Sequence, residues 1–185
     1  KEIKELFMGK RVRILMGCAP CQPFSTLNRK RRIGNAQDEN WQPLERFAKL
    51  INEVRPEIVS MENVKDLADG EKYPVFKRFI NTLQRCGYHI SYRVLDTAYY
   101  GVPQRRKRLV LLASLLGPIE LLPETHNKDR FITVRDKIAG LKSISDGQSL
   151  TEDPLHRASK LNKINKKRIA ATPKDGGSAT SWPIH

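Results

Sequence analysis

Cysteine is scarce in this sequence: its 185 residues hold three. An odd count in a chain of this size supports no disulfide framework and suits a reducing compartment. Cys18 and Cys21 form a C-x-x-C pair, but no second pair accompanies them, Cys86 stands alone and the four histidines are scattered. A zinc site is therefore short of its usual four ligands. No apolar run approaches the ~20 residues of a membrane span. The opening Lys1-Glu2-Ile3-Lys4-Glu5 has no character of a secretory leader. That opening, without Met, and the ending Trp182-Pro183-Ile184-His185 read as cuts inside a larger protein. No Gly-x-Gly occurs anywhere, and there is no internal repeat or low-complexity domain. Acidic residues are also short: 20 Asp and Glu face 34 Lys and Arg, for a net charge of +14. Such an excess favours a polyanionic partner, most commonly nucleic acid. The plainer alternative is a basic surface, or a fragment whose acidic parts lie elsewhere.

What is present fits one domain with a real core. Residues 12–16 form a short apolar run that predicts a buried strand. Residues 28–40 are polar and contain Arg29-Lys30-Arg31-Arg32, which predicts a mobile basic loop. Residues 41–54 space Leu44, Phe47, Ala48, Leu50 and Ile51 as a helix, and Pro56 ends it. Residues 58–61 predict a second strand. Residues 74–86 place Val75, Phe76, Phe79, Ile80 and Leu83 on one helical face, with Gly87 as a stop. Strands follow at 88–98 and 109–113. This order predicts an α/β fold with a mainly parallel sheet, an antiparallel edge strand and helices on both faces. Residues 1–118 read as the core, and 119–185 as a mostly irregular and helical segment, with short helices expected at 134–141 and 155–171. Asp175-Gly176-Gly177-Ser178 is loop chemistry.

Three groups carry candidate chemistry. The first is Gly17-Cys18-Ala19-Pro20-Cys21-Gln22-Pro23-Phe24-Ser25, directly after the first strand. A thiol in such a turn is presented rather than packed. Cys18 and Cys21 suit a redox dithiol, or Cys21 alone acts as a nucleophile, or both are inert. The second is Glu62-Asn63-Val64 after the second strand. Strand ends gather on one edge of a parallel sheet, so Cys21 and Glu62 become neighbours there. A half-buried carboxyl in that place could serve as an acid; the plain alternative is an exposed loop residue. The third is Gln104-Arg105-Arg106-Lys107-Arg108 ahead of the last strand. Alternation sends Gln104, Arg106 and Arg108 to one face, towards the site, and Arg105 and Lys107 to the other, towards solvent or phosphate. It also reads as a basic edge strand guarded against aggregation.

Taken together, Pro20-Cys21-Gln22 with Phe24-Ser25, Glu62-Asn63-Val64 and Gln104-x-Arg106-x-Arg108 resemble the DNA (cytosine-5) methyltransferase family. Tyr100-Gly101-Val102-Pro103 adds to the likeness, which covers residues 12–114 in order. The resemblance implies a partial Rossmann-like methyltransferase sheet. It implies methyl transfer from S-adenosylmethionine to carbon 5 of a flipped cytosine in double-stranded DNA. Cys21 would be the nucleophile at carbon 6, Glu62 would neutralise ring nitrogen 3, and Asn63 would hold that carboxyl. Arg106 would meet the base carbonyl and orient the thiolate or carboxylate, while Arg108 and Gln104 support the site. Gln22, Ser25 and the basic loop would line the DNA. Pro20 and Leu44 are the cofactor contacts that carry over.

The glycine-rich cofactor turn of that family is missing, so most of the cofactor site would lie before Lys1. The target-recognition region would lie beyond His185. A chain of this extent is expected to be inactive alone and to bind cofactor weakly. At full length, the resemblance implies a monomer in a bacterial cytoplasm, at the nucleoid, with room for a cognate restriction endonuclease as partner. A transfer-RNA cytosine-5 methyltransferase, a non-catalytic basic binding fragment and a dithiol oxidoreductase remain the alternatives.

Overall fold

The computed structural model describes residues 5–9, 11–20, 41–174 and 176–182. The chain divides into two compact units, Lys1–Lys137 and Ile138–His185. Among its described residues the first unit holds four strands: β1 (Ile14–Gly17), β2 (Ile58–Val64), β3 (His89–Asp96) and β4 (Lys107–Ser114). Its long helices are α1 (Gln42–Val54) and α2 (Pro74–Arg85), and a short helix α3 (Val134–Ile138) follows the sheet.

The strands form one sheet in the order β1-β2-β4-β3. β1 runs parallel to β2, while β4 pairs antiparallel with both β2 and β3. Three strands thus point one way and β4 alone points back. The expected antiparallel strand exists, but it lies inside the sheet rather than at its edge. The β2–α2–β3 crossover leaves a gap one strand wide, and β4 returns through the loop after β3 to fill it. β1 and β3 are the edges.

Sequence chemistry explains the helices. Pro43 and Pro74 stand in the first turns of α1 and α2, where a missing N–H costs nothing. α1 ends at Arg55 in the left-handed region (φ 52°), immediately before Pro56. Gly87, at φ 80°, follows α2; no side chain bearing a Cβ adopts that angle without cost. Leu44, Ala48, Ile51 and Val54 line the inner face of α1, and Val75, Phe76, Phe79 and Leu83 that of α2.

Both helices cover the same sheet face. Val59 and Met61 of β2 and Leu109, Leu111 and Ala113 of β4 join the helix residues in one core. Each such fully buried side chain contributes about 1.5–3 kcal/mol. Helices on both faces were expected; among the described residues of this unit, the two long helices share one. β1 corrects a second expectation. Leu15 faces the core, but Ile14 and Met16 are 53% and 74% exposed, because alternation turns them to the opposite face. The apolar run at 12–16 is therefore an edge strand open on one side among the described residues.

One clip that the sequence did not reveal ties the lower end of this unit. Arg13, just before β1, donates through Nε to Glu57 Oε2 (2.9 Å) and through Nη2 to Oε1 (2.7 Å). The same guanidinium donates to the carbonyls of Val54 and Arg55 at the end of α1. It joins strand entry, helix end and the start of β2 in one contact.

The compact unit also reaches past residue 118, where the sequence reading placed a boundary. Leu121 N donates to Ser91 Oγ, Arg93 donates to the Leu122 carbonyl, and Thr125 and His126 donate to the Tyr99 carbonyl. These bonds lay the segment along β3. The second unit contains α4 (Lys163–Ala171), capped by Asn162 accepting from Asn165 N. Lys166 pairs with Asp146 at 2.6 Å, and Arg168 lies over the Trp182 ring, whose Nε1 donates to Thr172. α4 has no fully buried residue.

Candidate active site

β2 is longer than its apolar run suggests. Glu62 and Asn63 do not follow the strand; with Val64 they are its last three residues. Alternation then separates them. Asn63 points into the core side and is 1% exposed, while Glu62 points to the opposite face.

Glu62 is held from both sides, by β4 and by the turn after β1. Arg108, on β4, lies diagonally across from it, and Arg108 Nε stands 2.6 Å from Glu62 Oε1. Cys18 is one residue beyond Gly17, whose partner in register is Met61, so it arrives beside Glu62. Its thiol donates to Glu62 Oε2 at 3.2 Å. Each carboxylate oxygen therefore has its own donor.

Asn63 does something other than hold the Glu62 carboxyl. Its Nδ2 donates to the Ala19 carbonyl at 3.0 Å, and its Oδ1 accepts from Val64 N at 2.9 Å. Both groups of a buried amide are satisfied, as burial demands. The effect is to latch the turn after β1 to the end of β2, one residue before Pro20. Pro20 itself is exposed at the carboxyl end of β1. Cys21, Gln22 and Ser25, with the basic loop, lie outside the described residues.

Gly17 explains why this turn begins with glycine. A Cβ there would sit 2.5–2.9 Å from three ring carbons of Phe47 on α1. Only a bare backbone lets the end of β1 lie against that ring. Phe47 in turn stacks on Phe79, with ring centroids 5.9 Å apart.

The basic motif ahead of β4 splits differently from simple alternation. β4 begins at Lys107, so Gln104, Arg105 and Arg106 belong to the preceding turn. Thr97 Oγ1 donates to the Gln104 carbonyl (2.6 Å) and Thr97 N to the Arg106 carbonyl (3.1 Å), which ties that turn to the end of β3. Arg105 does not face solvent or phosphate alone. Its Nε and Nη2 stand 2.8 and 2.7 Å from Asp96 Oδ2, and its guanidinium lies over the Phe131 ring. The Arg105 hydrogen bond holds the buried Asp96 carboxyl below the usual carboxylate range, against the opposing effect of burial. Arg106 and Gln104 side chains are exposed. Arg108, rather than Arg106, orients the Glu62 carboxylate.

Leu44 takes a different place from the one expected of a cofactor contact: its side chain is 1% exposed, inside the core. Of the two residues expected to meet a cofactor, Pro20 is exposed and the Leu44 side chain is not. Among the described residues, no cluster of His, Cys, Asp and Glu could hold a metal ion. Nor, among the described residues, is any helix long and apolar enough to cross a membrane.

The structure thus brings Cys18, Glu62, Asn63 and Arg108 to one edge, where β1 and β2 end and β4 begins. Sequence reasoning gave no role to Cys18 beside Glu62, or to Asp96. Register supplied the missing signal for Cys18, and an Asp directly before a Thr-led turn supplied it for Asp96, which accepts from Ala98 N.

Comparison with known proteins follows the same residues. The family described as C-5 cytosine-specific DNA methylase matches residues 1–181. The Type II methylase M.HgiDII of Herpetosiphon aurantiacus is 40% identical over 99% of this chain and 50% of its own length. The Type II methyltransferase M.XorII of Xanthomonas oryzae pv. oryzae is 36% identical over 78% of this chain and 33% of its own. The chain spans half or less of these curated relatives. A solved structure assigned as a DNA modification methyltransferase from an E. coli prophage superposes with a TM-score of 0.59. It is 21% identical and matches 94% of this chain and 49% of its own, which speaks for the fold.

Proposed function

This chain belongs to the C-5 cytosine-specific DNA methylase family, and on that premise we propose that its protein methylates carbon 5 of cytosine in double-stranded DNA. One observation carries the reading. Glu62 stands at the strand edge with Arg108 on one oxygen, beside the turn that leads into Cys21 and that Asn63 latches.

Carbon 5 of cytosine is a poor nucleophile. In this reading the Cys21 thiolate adds to carbon 6, forming an S–C bond and pushing the ring electrons towards nitrogen 3 and carbon 5. Glu62 enters this step protonated, faces ring nitrogen 3 and gives its proton to the charge that develops there. Arg108 fixes one oxygen of the carboxyl so that the other, carrying the proton, meets the base, and Arg106, exposed ahead of β4, reaches the base carbonyl. Gln104 supports that approach. A stacked base cannot present carbon 6, so the cytosine is flipped out, with Gln22, Ser25 and the basic loop on the DNA side. S-adenosylmethionine would supply the methyl, its sulfonium carbon–sulfur bond breaking as carbon 5 takes that group, and the exposed Pro20 would touch it. Loss of the carbon 5 proton to a base from solvent and cleavage of the S–C bond to carbon 6 then return Cys21 and release 5-methylcytosine. The net charge of +14 suits the phosphate backbone.

The test is methyl incorporation from labelled S-adenosylmethionine into duplex DNA and transfer RNA, assayed in parallel with the full-length protein and its Cys21→Ser variant. Labelled DNA with the wild type and none with the variant is expected. Activity retained by the variant overturns the mechanism, and labelling confined to transfer RNA overturns the substrate.

A further inference from the structure

Cys18 is the motif residue that this chemistry leaves unused. Its thiol nevertheless touches the carboxylate at the centre of the site, at 3.2 Å from Glu62 Oε2. The two grips on Glu62 are unequal. Arg108 makes a short charged contact at 2.6 Å to Oε1, and such contacts are strong. The thiol is a weak donor, so Oε2 is the oxygen more readily given up. A base entering the site therefore exchanges with Cys18, and Arg108 keeps its hold.

We propose that Cys18 is a positioning residue: before substrate arrives, its thiol holds Oε2 of Glu62 in place and so presets which carboxylate oxygen meets the cytosine ring. A carboxylate held at one oxygen only can turn about its terminal torsion, which is broad and soft. With both oxygens held, the plane of the group is fixed between β1 and β4. Among the described residues, Arg93 does not replace this contact. On the same sheet face Arg93, two strands away, is turned to Tyr100 Oη and the Leu122 carbonyl. No bond is made or broken in this role, and the thiol keeps its proton. The kinetic arm below rests on the methyltransferase reading; the thiol arm does not.

Two measurements on the full-length protein test the proposal. In the first, Cys18→Ala lowers kcat by about three- to tenfold, the range for one lost hydrogen bond, with the KM for DNA unchanged. Placed on Glu62→Gln, the same change costs nothing further, because the group it positions is gone. Equal losses in both backgrounds, or no loss in the first, overturn the role. In the second, Cys21→Ser removes the other thiol of the turn and Cys86 is buried, and N-ethylmaleimide labelling at fixed pH is followed by mass on the peptide that carries Cys18. Adding Glu62→Gln to Cys21→Ser speeds that alkylation several-fold, because the carboxylate that engages the thiol is lost. An unchanged rate shows that the two groups do not interact and overturns the proposal, whatever reaction the protein performs. Abolished methyl transfer in Cys21→Ser alongside such an unchanged rate would leave the methyltransferase reading standing and remove only the role of Cys18.

Discussion

Asn63 Nδ2 donates to the Ala19 carbonyl at 3.0 Å, so a side chain buried at the end of β2 holds the start of the turn that precedes Cys21 in the sequence. Two backbone groups, the Ala19 carbonyl and Val64 N, depend on this one amide. Asn63→Ala leaves both without it and should cost about 1–3 kcal/mol. Asn63→Asp should cost at least as much, because a carboxylate cannot donate to the Ala19 carbonyl. Urea unfolding reads the stability loss, and methyl transfer should fall in step as the turn loosens.

Arg108 is expected to matter far more for chemistry than for folding. Its pair with Glu62 is partly exposed, at 25% and 42% for the two side chains. Solvent screening holds the stability contribution of such a pair to about 1 kcal/mol or less. Arg108→Gln should therefore shift unfolding little while lowering kcat on the order of a hundredfold, through misplacement of Glu62. Arg108→Lys should recover only part of the rate, since the contact is made by the guanidinium Nε. Comparing kcat with the urea midpoint in the two variants checks this.

Gly17→Ala tests the close approach of β1 to α1. The new methyl would fall 2.5–2.9 Å from the Phe47 ring. Overpacking of this kind costs about 1–3 kcal/mol. Phe47→Leu, added to Gly17→Ala, should restore part of the stability by removing the ring edge. A thermal or urea midpoint for the single and double variants decides it.

The Arg13–Glu57 clip predicts an acid-sensitive contribution to stability. The Arg13 hydrogen bond lowers the Glu57 carboxyl to about 2. A group depressed in the folded state stabilises above its unfolded value and loses that contribution as pH falls through its folded value. The stability gap between wild type and Glu57→Gln should thus be full above about pH 5 and shrink towards about pH 2. Unfolding midpoints measured across that window give the answer; a gap that stays constant would show that the clip carries no such linkage.

Much of this protein is legible in one dimension. The spacing of Leu44, Ala48 and Ile51, and of Val75, Phe76, Phe79 and Leu83, specifies two amphipathic helices, and Pro56 and Gly87 mark where they stop. Local preference and periodicity act within a few residues, so sequence alone carries them. The motifs around Cys21, Glu62 and Arg108 named the family for the same reason: each is a short string.

Relations between strings were decided only in three dimensions. The family resemblance gave Arg106 the orientation of the thiolate or carboxylate and gave Asn63 the support of the carboxyl. Register instead placed Arg108 diagonally opposite Glu62 and turned Asn63 to the core, because adjacent residues of a strand face opposite sides. Cys18 met Glu62 because β1 runs parallel to β2 and ends at Gly17 in register with Met61, so the next residue falls beside Glu62. The internal position of β4, the exposure of Ile14 and Met16, and the grip of Arg13 on Glu57 also depend on which strands and ends become neighbours. Residue types and their local order determined the chemistry available; the pairing of distant segments decided which of those groups touch.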